Sequence, residues 1–471
     1  MAPRTFAIRT FGCQMNAHDS DKVANLLLHA GYEAAGEDEA ADLLVINTCS
    51  IREKAEHRLY SDLGRLREWK AQRPGRVIGV GGCVAQQQGD ALLARFSQVD
   101  FVFGTHNLRL VPSLIRAAEM GQREIDVSTS PSLDRFDLPG RHPAFVETSP
   151  GRAYLTVMEG CDMFCSFCIV PTTRGREVSR PADSILREAE SLAARGVVEV
   201  VLLGQTVNAY GRHDQRRGRA AQGGTMGFAA LIRRLAEIRG LRRIRYTSPH
   251  PIFFDDDLVR AHGEIEALAP HVHMPVQSGA DAVLERMRRR YTSDDVRRLT
   301  LRLRAARPDL ALTTDLIVGF PGEKDADFEA TLALIRDVGY VDGFSFKYSP
   351  RPGTAGAEIA DRVPEDVAQA RLEAVQDLLR QQTLRYHRGR VGTSTEVLVA
   401  GRSRQDHQLA GRDPWHRVVN LDVASFPHAV PGHLVRVQIA EATPHSLIGE
   451  PVLPLPLAQA GFSSGAAAFR R

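Results

Sequence analysis

The chain contains six cysteines, and three of them form a compact motif that could hold a metal cluster. Cys161, Cys165 and Cys168 stand as C-x3-C-x2-C within GCDMFCSFCIVP. A tight loop of this spacing can turn three thiolates toward one [4Fe-4S] cluster and leave its fourth iron without a protein ligand, open to a small molecule. A zinc site is the alternative, but structural zinc takes four protein ligands, and no histidine or fourth cysteine stands nearby in the sequence.

The other three cysteines, Cys13, Cys49 and Cys83, are far apart in the sequence but share one local setting. Each follows an apolar run and precedes a polar or glycine-rich turn, in TFGCQMN, INTCSI and VGGCVAQ. Glycine stands directly before two of them, which would let the backbone approach a bulky cluster. One such cysteine alone is more simply a buried small residue. The same setting in three places favours a second shared ligand set.

The first 125 residues alternate between strand and helix patterns. Strands are predicted at 5–9, 42–47, 76–80 and 101–103, and helices at 20–30 and 52–72. This alternation predicts a parallel sheet with helices on both faces, so that 1–125 form an α/β domain. Ligands gather beyond the carboxyl ends of such strands. Because Cys13, Cys49 and Cys83 each follow one of the first three strands, we expect them to meet at one edge of the sheet.

The alternation resumes after a polar, proline-containing stretch at 126–150, which is predicted to be a linker. Within 151–381, strands are predicted at 153–158, 198–203, 242–246, 271–276, 312–318 and 343–347. This number of strands with intervening helices predicts an open or partial barrel of the TIM type, whose site lies at the carboxyl ends of the strands. The C-x3-C-x2-C loop follows the first of them.

Short β-type runs at 394–400, 417–421 and 434–439 replace this rhythm in the last part of the chain. Glycine and proline separate the runs, which predicts a small β-barrel over 382–455. The tail at 456–471 is small and polar and is predicted to be disordered. The predicted fold class is therefore α/β, with an N-terminal parallel sheet domain, a central partial barrel and a small C-terminal β-barrel.

The C-x3-C-x2-C loop resembles that of the radical S-adenosylmethionine (SAM) enzymes, in which the open iron chelates the amino and carboxylate groups of the methionine moiety of SAM. Phe167 matches the aromatic residue that this family prefers before the last cysteine. To about residue 450 the chain is similar to the methylthiotransferases of that family. The segments that carry the similarity include TFGCQMN, MEGCDMFCSFCIVPTTRGREVSRP, LLGQTVNAY, HMPVQSGA, DLIVGFPGE, YSPRPGTAG and GRDPWHRVVN.

The resemblance implies two [4Fe-4S] clusters and SAM as cofactors. One cluster, at Cys161, Cys165 and Cys168, would cleave SAM to a deoxyadenosyl radical, and the other, at Cys13, Cys49 and Cys83, would carry the sulfur. It further implies that the C-terminal barrel is a TRAM RNA-binding domain. The branch it favours attaches a methylthio group to carbon 2 of N6-dimethylallyladenosine at position 37 of tRNA. Sister branches act on a ribosomal-protein aspartate or on threonylcarbamoyl adenosine, and a non-enzymatic iron–sulfur RNA-binding protein is an alternative from another class.

Supporting residues are predicted from the ends of the barrel strands and from the loops of the small barrel. The candidates for SAM binding are Gly204, Gln205, Gln277, Ser278, Gly319, Phe320, Pro321 and Gly322. The candidates for RNA binding are Arg402, Arg404, Arg412, Trp415 and Arg417. The GFPGE segment can equally be a plain strand-to-helix turn, and Trp415 can equally be a packing residue. No catalytic base is assigned.

Charge and hydropathy limit which partners and which cellular compartment the sequence predicts. The net charge of +3 does not by itself indicate a nucleic-acid partner. The arginine-rich segment 285–307 is either a phosphate-facing strip or a solvated helix face. No apolar run reaches the roughly 18 residues of a membrane span, and the N-terminus lacks the apolar stretch of a signal peptide. The protein is therefore predicted to be cytoplasmic and free of membrane partners, with a flavodoxin- or ferredoxin-like electron donor and the iron–sulfur assembly machinery as further partners implied by the resemblance.

Overall fold

The N-terminal part of the chain forms a six-stranded, all-parallel sheet in the order β2-β1-β3-β4-β5-β6. The computed structural model describes residues 4–50, 53–130, 132–147, 149–212 and 226–452, so the tail predicted at 456–471 lies outside the described residues. The strands are β1 (Thr5–Phe11), β2 (Glu33–Ala34), β3 (Leu43–Thr48), β4 (Val77–Gly82), β5 (Phe101–Phe103) and β6 (Glu124–Asp126). The predicted parallel sheet is confirmed, and the short edge strands β2 and β6 add to it.

Helices cover both faces of this sheet, as the alternation predicts. They are α1 (Gln14–His29), α2 (Glu53–Gln72), α3 (Cys83–Arg95) and α4 (Val111–Glu119). Apolar residues of α1 and α4 pack on one face, and those of α2 and α3 pack on the other. Helix α1 begins six residues before the position predicted for it, because its first turns bury polar side chains and so lack an apolar pattern.

The central part is a partial barrel, as predicted, built from two three-stranded parallel sheets in the orders β11-β10-β7 and β12-β13-β14. Its strands are β7 (Arg152–Thr156), β10 (Glu199–Leu203), β11 (Arg243–Tyr246), β12 (His271–His273), β13 (Ala311–Val318) and β14 (Asp342–Lys347), and a short antiparallel pair, β8 (Met158–Glu159) and β9 (Val178–Ser179), lies beside them. Strand β12 ends three residues earlier than predicted. Pro275, which follows it, has no amide to donate to a neighbouring strand.

The described residues of the barrel form eight helices, and all of them except the short first one lie outside the strands and share one large apolar core with them. They are α5 (Val170–Arg174), α6 (Ala182–Ala194), α7 (Phe228–Ala236), α8 (Asp256–Glu264), α9 (Asp281–Arg286), α10 (Ser293–Ala306), α11 (Asp325–Val338) and α12 (Glu365–Arg388). Helix α12 has 24 residues and was not predicted, since half of its buried positions are polar, which weakens the apolar pattern. The predicted domain boundary between 381 and 382 lies inside this helix.

The C-terminal part is a closed barrel with the strand order β15-β16-β17-β19-β18, which confirms the predicted small β-barrel. Its strands are β15 (Ser394–Arg402), β16 (Gln408–Arg412), β17 (Val418–Asp422), β18 (Leu434–Ala442) and β19 (Leu447–Pro451). It rests against the amino ends of the central strands. There Arg245 donates to the carbonyl of Asp413 at 2.7 Å, and Arg417 pairs with Asp342 at 2.9 Å. No described helix combines the length and apolarity needed to cross a bilayer.

Candidate metal centres

Cys13, Cys49 and Cys83 lie at the carboxyl ends of three neighbouring parallel strands. The last residues of these strands are register partners across the sheet: Phe11, Thr48 and Gly82. Cys49 and Cys83 follow their strands directly, and Cys13 follows after one glycine. Since adjacent strands run about 4.8 Å apart, this placement gathers the three cysteines at one edge. The amide of Cys49 also donates to the carbonyl of Phe11 at 2.9 Å, which joins the first two strand ends.

The thiols of this first triad interact with each other and with one arginine. A hydrogen bond from Cys49, supported by the charge of Arg174, lowers the pKa of Cys13 to about 6 despite burial. Burial raises the pKa of Cys83, and the charge of Arg174 opposes that shift. Metal ligation by cysteine requires the thiolate. The triad therefore has the donor atoms of a cluster site and a cation beside them.

Glycine is required beside two of these cysteines. Gly12 has φ +141, and a Cβ built on it would lie 2.3 Å from Cys49 Cβ. Gly82 has φ +94, and a Cβ there would lie 2.3 Å from Asn47 Oδ1. Both the backbone conformation and the space exclude a larger residue. The sequence-based reason for these glycines, close approach of backbone to the site, agrees with this geometry.

Replacing Gly12 with alanine is expected to disturb this site. The new Cβ would collide with Cys49 and force a strained φ, at a cost of about 1–3 kcal/mol of unfolding free energy. Thermal unfolding and iron content measure the effect. Gly36→Ala is the matched control, because a Cβ at Gly36 meets nothing within 4 Å. A Gly12→Ala protein that unfolds at the wild-type temperature with full iron content would show that the close approach is unimportant.

Cys161, Cys165 and Cys168 form the second triad, in the loop between β8 and α5. Cys161 and Cys165 are buried and Cys168 is half-buried. The amide of Cys168 donates to the carbonyl of Cys165 at 3.0 Å, and that of Cys161 donates to the carbonyl of Gly175 at 3.1 Å. Burial raises the pKa of Cys161, and burial together with the neighbouring Cys165 raises the pKa of Cys168 to about 12. A bound metal would have to displace these protons.

An arginine also stands beside the second triad. Nη1 of Arg289 lies 3.4 Å from the Cys165 sulfur. The guanidinium is held by the hydroxyl of Tyr291 at 2.9 Å and by the carbonyl of Pro275 at 2.7 Å. A cluster with three thiolate ligands carries negative charge, which is costly to bury without a counter-charge. Each triad thus has one buried guanidinium that can offset this cost.

The two triads are connected by the short helix α5. This helix follows Cys168 and ends at Arg174, the arginine beside the first triad. Nη2 of Arg174 bonds Asp19 Oδ2 of α1 at 2.6 Å, and both residues are buried where the two domains meet. Nη1 of Arg174 is also buried and has no hydrogen-bond partner among the described residues. A group bound at the thiols could accept the hydrogen bond that this buried N–H group lacks.

The start of α1 lies against the inner face of the central barrel. Met15 packs with Val201 and Leu203 of β10, and Cys13 and Tyr154 pack against this group. Alternate residues of β10 face the helices of the barrel, so Val201 and Leu203 face its interior. Cys13 of the first triad therefore borders the interior of the barrel, and the second triad lies in the loop that follows the first strand of that barrel.

Both triads fit a [4Fe-4S] cluster by their donor chemistry. Each offers three thiols, a loop or strand edge that permits close approach, and one guanidinium. Among the described residues, no three His, Cys, Asp or Glu side chains are arranged to hold a single metal ion. A [4Fe-4S] cube does not need such an arrangement, because each thiolate binds a separate iron.

The eight SAM candidates lie at the carboxyl ends of the barrel strands, as predicted, but differ in their surroundings. Gln205 accepts from the amide of Gly160 at 2.5 Å, just before the cysteine loop, and its buried Nε2 lacks a partner among the described residues. Gln277 has φ +71 and bridges to β13. A Cβ on Gly204 would lie 2.6 Å from Met158 Cγ. A role in SAM binding stays a prediction for these residues.

The other SAM candidates are engaged within the protein. Ser278 is fully buried and lies 3.3 Å from the hydroxyl of Thr331. Gly319, Phe320, Pro321 and Gly322 form the turn between β13 and α11. Phe320 is fully buried against the edge of Tyr348, and the amide of Gly322 donates to the carbonyl of Asp361 at 2.7 Å. Their binding to SAM also stays a prediction.

The RNA candidates fall into two groups. Arg402 and Arg404 are exposed at the end of β15. Arg412, Trp415 and Arg417 touch protein instead, where the small barrel meets the central one. Trp415 donates to the carbonyl of Asp309 at 2.7 Å, and Arg390 lies 3.7 Å from its ring centroid. RNA binding by these five residues stays a prediction.

The arginine-rich segment 285–307 is largely paired. Arg297 bonds Asp294 and Asp337, and Arg304 donates to the carbonyl of Val338 at 2.7 Å. This favours the solvated helix face over a phosphate strip. Arg289 of the same segment reaches the second triad, a role that sequence reasoning missed. Arg174 and Asp19 were also missed, although Arg174 stands only six residues after Cys168.

The sequence of this chain is similar to three family models and to several named proteins. Family models match the chain as the uncharacterized protein family UPF0004 at 5–104, the Radical SAM superfamily at 155–335 and the TRAM domain at 388–452. A protein of Geobacter metallireducens named tRNA-2-methylthio-N(6)-dimethylallyladenosine synthase is 47% identical, over 94% of this chain and 97% of its own length. Proteins of the same name from Burkholderia cenocepacia and Erythrobacter litoralis are 46% and 44% identical, each over 95% of this chain.

Solved structures show the same fold at low identity. The radical S-adenosylmethionine methyltransferase TsrM from Kitasatospora setae, with cobalamin and a [4Fe-4S] cluster bound, aligns with a TM-score of 0.52 and 16% identity. The alignment covers 75% of this chain and 74% of that chain. At this identity the likeness concerns the fold only.

Proposed function

This chain belongs to the tRNA-2-methylthio-N(6)-dimethylallyladenosine synthases of the radical SAM superfamily, and from this premise we propose which residues perform the reaction. The protein transfers a methylthio group to carbon 2 of N6-dimethylallyladenosine at position 37 of tRNA. Its cofactors are two [4Fe-4S] clusters and SAM. Cys13, Cys49 and Cys83 hold one cluster. Cys161, Cys165 and Cys168 hold the other. With three thiolate ligands, each cluster keeps one iron without a protein ligand.

The observation that carries this assignment is the first triad. Three cysteines far apart in the sequence lie at adjacent strand ends, beside two glycines that admit no larger residue and one buried arginine. Three unrelated buried cysteines would require neither the glycines nor the cation. The second triad has the spacing, the loop and an arginine of its own.

When bound, the clusters and SAM supply the one-electron chemistry and the sulfur that an unactivated aromatic carbon requires. The chain's own residues orient and enclose these groups. Arg174 and Arg289 offset the negative charge of the thiolate-bound centres. Gln205 fixes the start of the cysteine loop through the amide of Gly160. The buried pair of Arg174 and Asp19 joins α5 to α1 beside the first triad and so holds the two domains together at this point.

The partners follow from the same assignment. The substrate is tRNA, which the TRAM domain helps to bind. We propose a flavodoxin- or ferredoxin-like electron donor, loading by the iron–sulfur assembly machinery, and a cytoplasmic location. The relatives' shared name favours adenosine in tRNA over the ribosomal aspartate and the threonylcarbamoyl adenosine.

Nucleoside mass spectrometry tests this function directly. Deleting the gene should remove the methylthiolated dimethylallyladenosine from cellular tRNA and leave unmethylthiolated dimethylallyladenosine in its place. Reconstituted enzyme with SAM and a reductant should restore the product on that tRNA. Restoration on a ribosomal protein instead, or release of no deoxyadenosine from SAM, would contradict the proposal.

The exposed arginines of the small barrel provide a second test. Reversing both charges, as Arg402→Glu with Arg404→Glu, is expected to weaken tRNA binding. It should also reduce the slope of log affinity against log salt by about one unit for each phosphate that the variant no longer binds. Filter binding at several salt concentrations measures both quantities. Arg116→Glu, on the exposed side of α4, is the matched control. If the double variant and the Arg116→Glu control lose tRNA affinity equally, Arg402 and Arg404 are not part of the tRNA-binding surface.

A further inference from the structure

The last strand of the central barrel carries two aromatic side chains that the proposed site does not use. Phe344 is 58% exposed and Phe346 is 41% exposed. They are two residues apart on β14 and therefore share one face of the strand. That face is the inner one, because the neighbouring Gly343 points to the outer helix α12. A Cβ on Gly343 would lie 3.1 Å from Leu379 Cδ1 of that helix.

The register of the sheet places matching residues beside these two rings. Asp315 is the partner of Phe344 on β13, and Ile317 is the partner of Phe346. His273 Nε2 lies 3.3 Å from Asp315 Oδ1, and its ring stands edge-on to Phe344 with centroids 6.3 Å apart. The strip formed by Phe344, Phe346 and Ile317 is thus apolar and has one polar edge.

The strip runs from the floor of the barrel toward the cysteine loop. At the floor, Arg417 of the small barrel pairs with Asp342, the first residue of β14. At the other end, Ile317 and Phe167, which stands within the cysteine motif, both pack on the hydrophobic cluster that contains Phe320. An object lying on the strip would therefore sit inside the barrel and below the second triad.

The substrate has the chemistry that such a strip recognises. A base must leave its stack before an enzyme can reach its ring atoms, and unstacked bases pack on aromatic side chains in proteins that bind single-stranded RNA. The dimethylallyl group is a branched hydrocarbon, so its transfer from water to an apolar surface is favourable. Asp315 and His273 can meet the heteroatoms at the edge of the base.

We propose that Phe344 and Phe346 form the wall that holds the N6-dimethylallyl adenine, and that they select tRNA carrying this group over tRNA with plain adenosine. The inference rests on the proposed function and adds to it a specificity site. Phe344 and Phe346 are exposed, so their substitution leaves the apolar core unchanged.

The test compares two anticodon stem-loop RNAs, one with dimethylallyladenosine and one with adenosine. Binding of each RNA and kcat/KM for methylthiolation are measured with holoenzyme carrying both clusters. Phe344→Ala with Phe346→Ala is expected to reduce the preference for the dimethylallyl RNA about 10- to 100-fold. Phe344→Leu, which keeps the apolar surface, should lose less. Leu301→Ala, at a 70% exposed position on α10, is the control and should keep the preference.

The outcomes separate this wall from the proposed function. If the wild-type protein makes the product and the double variant keeps the preference, the wall is wrong and the function stands. If the double variant binds and modifies both RNAs less well by the same factor, the wall is also wrong. If it binds SAM less well and RNA as before, the strip belongs to the SAM site and the wall is again wrong. A wild-type holoenzyme that neither prefers nor modifies the dimethylallyl RNA would overturn both proposals.

Discussion

A Cys83→Ser protein, reconstituted with iron and sulfide, is expected to hold about four irons per chain where the wild-type protein holds about eight. It should still release deoxyadenosine from SAM and should form no methylthiolated tRNA. Cys83 is buried at the start of α3, directly after Gly82, which is the register partner of Thr48, the residue before Cys49. All six cysteines belong to the two triads, so no spare thiol can replace it.

The matched variant for this experiment is Cys165→Ser in the second triad. It should show a similar loss of iron but should fail to release deoxyadenosine. The contrast between the two variants, with iron analysis, electron paramagnetic resonance and product quantification on the same samples, distinguishes the roles of the two sites. A Cys83→Ser protein that keeps about eight irons or its product would refute the first ligand set.

Arg174→Met is expected to have the second largest effect, because it leaves Asp19 buried without its partner. Breaking a buried ion pair by removing one side costs about 3–5 kcal/mol. The first triad also loses its cation, so iron occupancy there should fall. Thermal unfolding and iron content measure the two effects. Arg174→Lys should recover part of the loss, since it keeps the charge but not the forked geometry of the guanidinium.

Two further variants test whether the loss of stability in Arg174→Met comes from the broken pair with Asp19. Arg380→Met breaks a pair with Asp377 on α12 whose two side chains are 54% and 63% exposed, and an exposed pair of this kind is worth about 0–1 kcal/mol. Asp19→Asn combined with Arg174→Met should cost less than the sum of the single changes, because the two side chains interact. Additive effects would show that the pair does not couple α1 to α5.

The sequence was sufficient to predict the parallel sheet, the partial barrel and the meeting of Cys13, Cys49 and Cys83, because all three depend on periodic local patterns. Apolar runs mark the strands, and a parallel sheet brings their carboxyl ends together. The early start of α1 was not predictable in this way. Its first turns are polar, and tertiary contacts bury them, such as those of Asn16 with Asn47 and of Asp19 with Arg174.

The arginines and the inner phenylalanines were beyond a sequence-based prediction for a similar reason. Arg174 and Asp19 are 155 residues apart, and nothing local indicates that they meet. Phe344 and Phe346 alternate with Ser345 as in any half-buried strand, and the same pattern would serve a strand whose aromatic face lies in the core. Only the tertiary arrangement shows that this face borders open space.

Helix α5 also bears on protein engineering. Its last residue, Arg174, pairs with Asp19 of the N-terminal domain. A cut between the two domains in the sequence therefore separates residues that belong together in the structure. A chimera that takes residues 1–125 from one relative and the barrel from another would combine an α1 and an α5 of different origin. Exchange between such proteins should succeed when α5 is transplanted together with the N-terminal sheet.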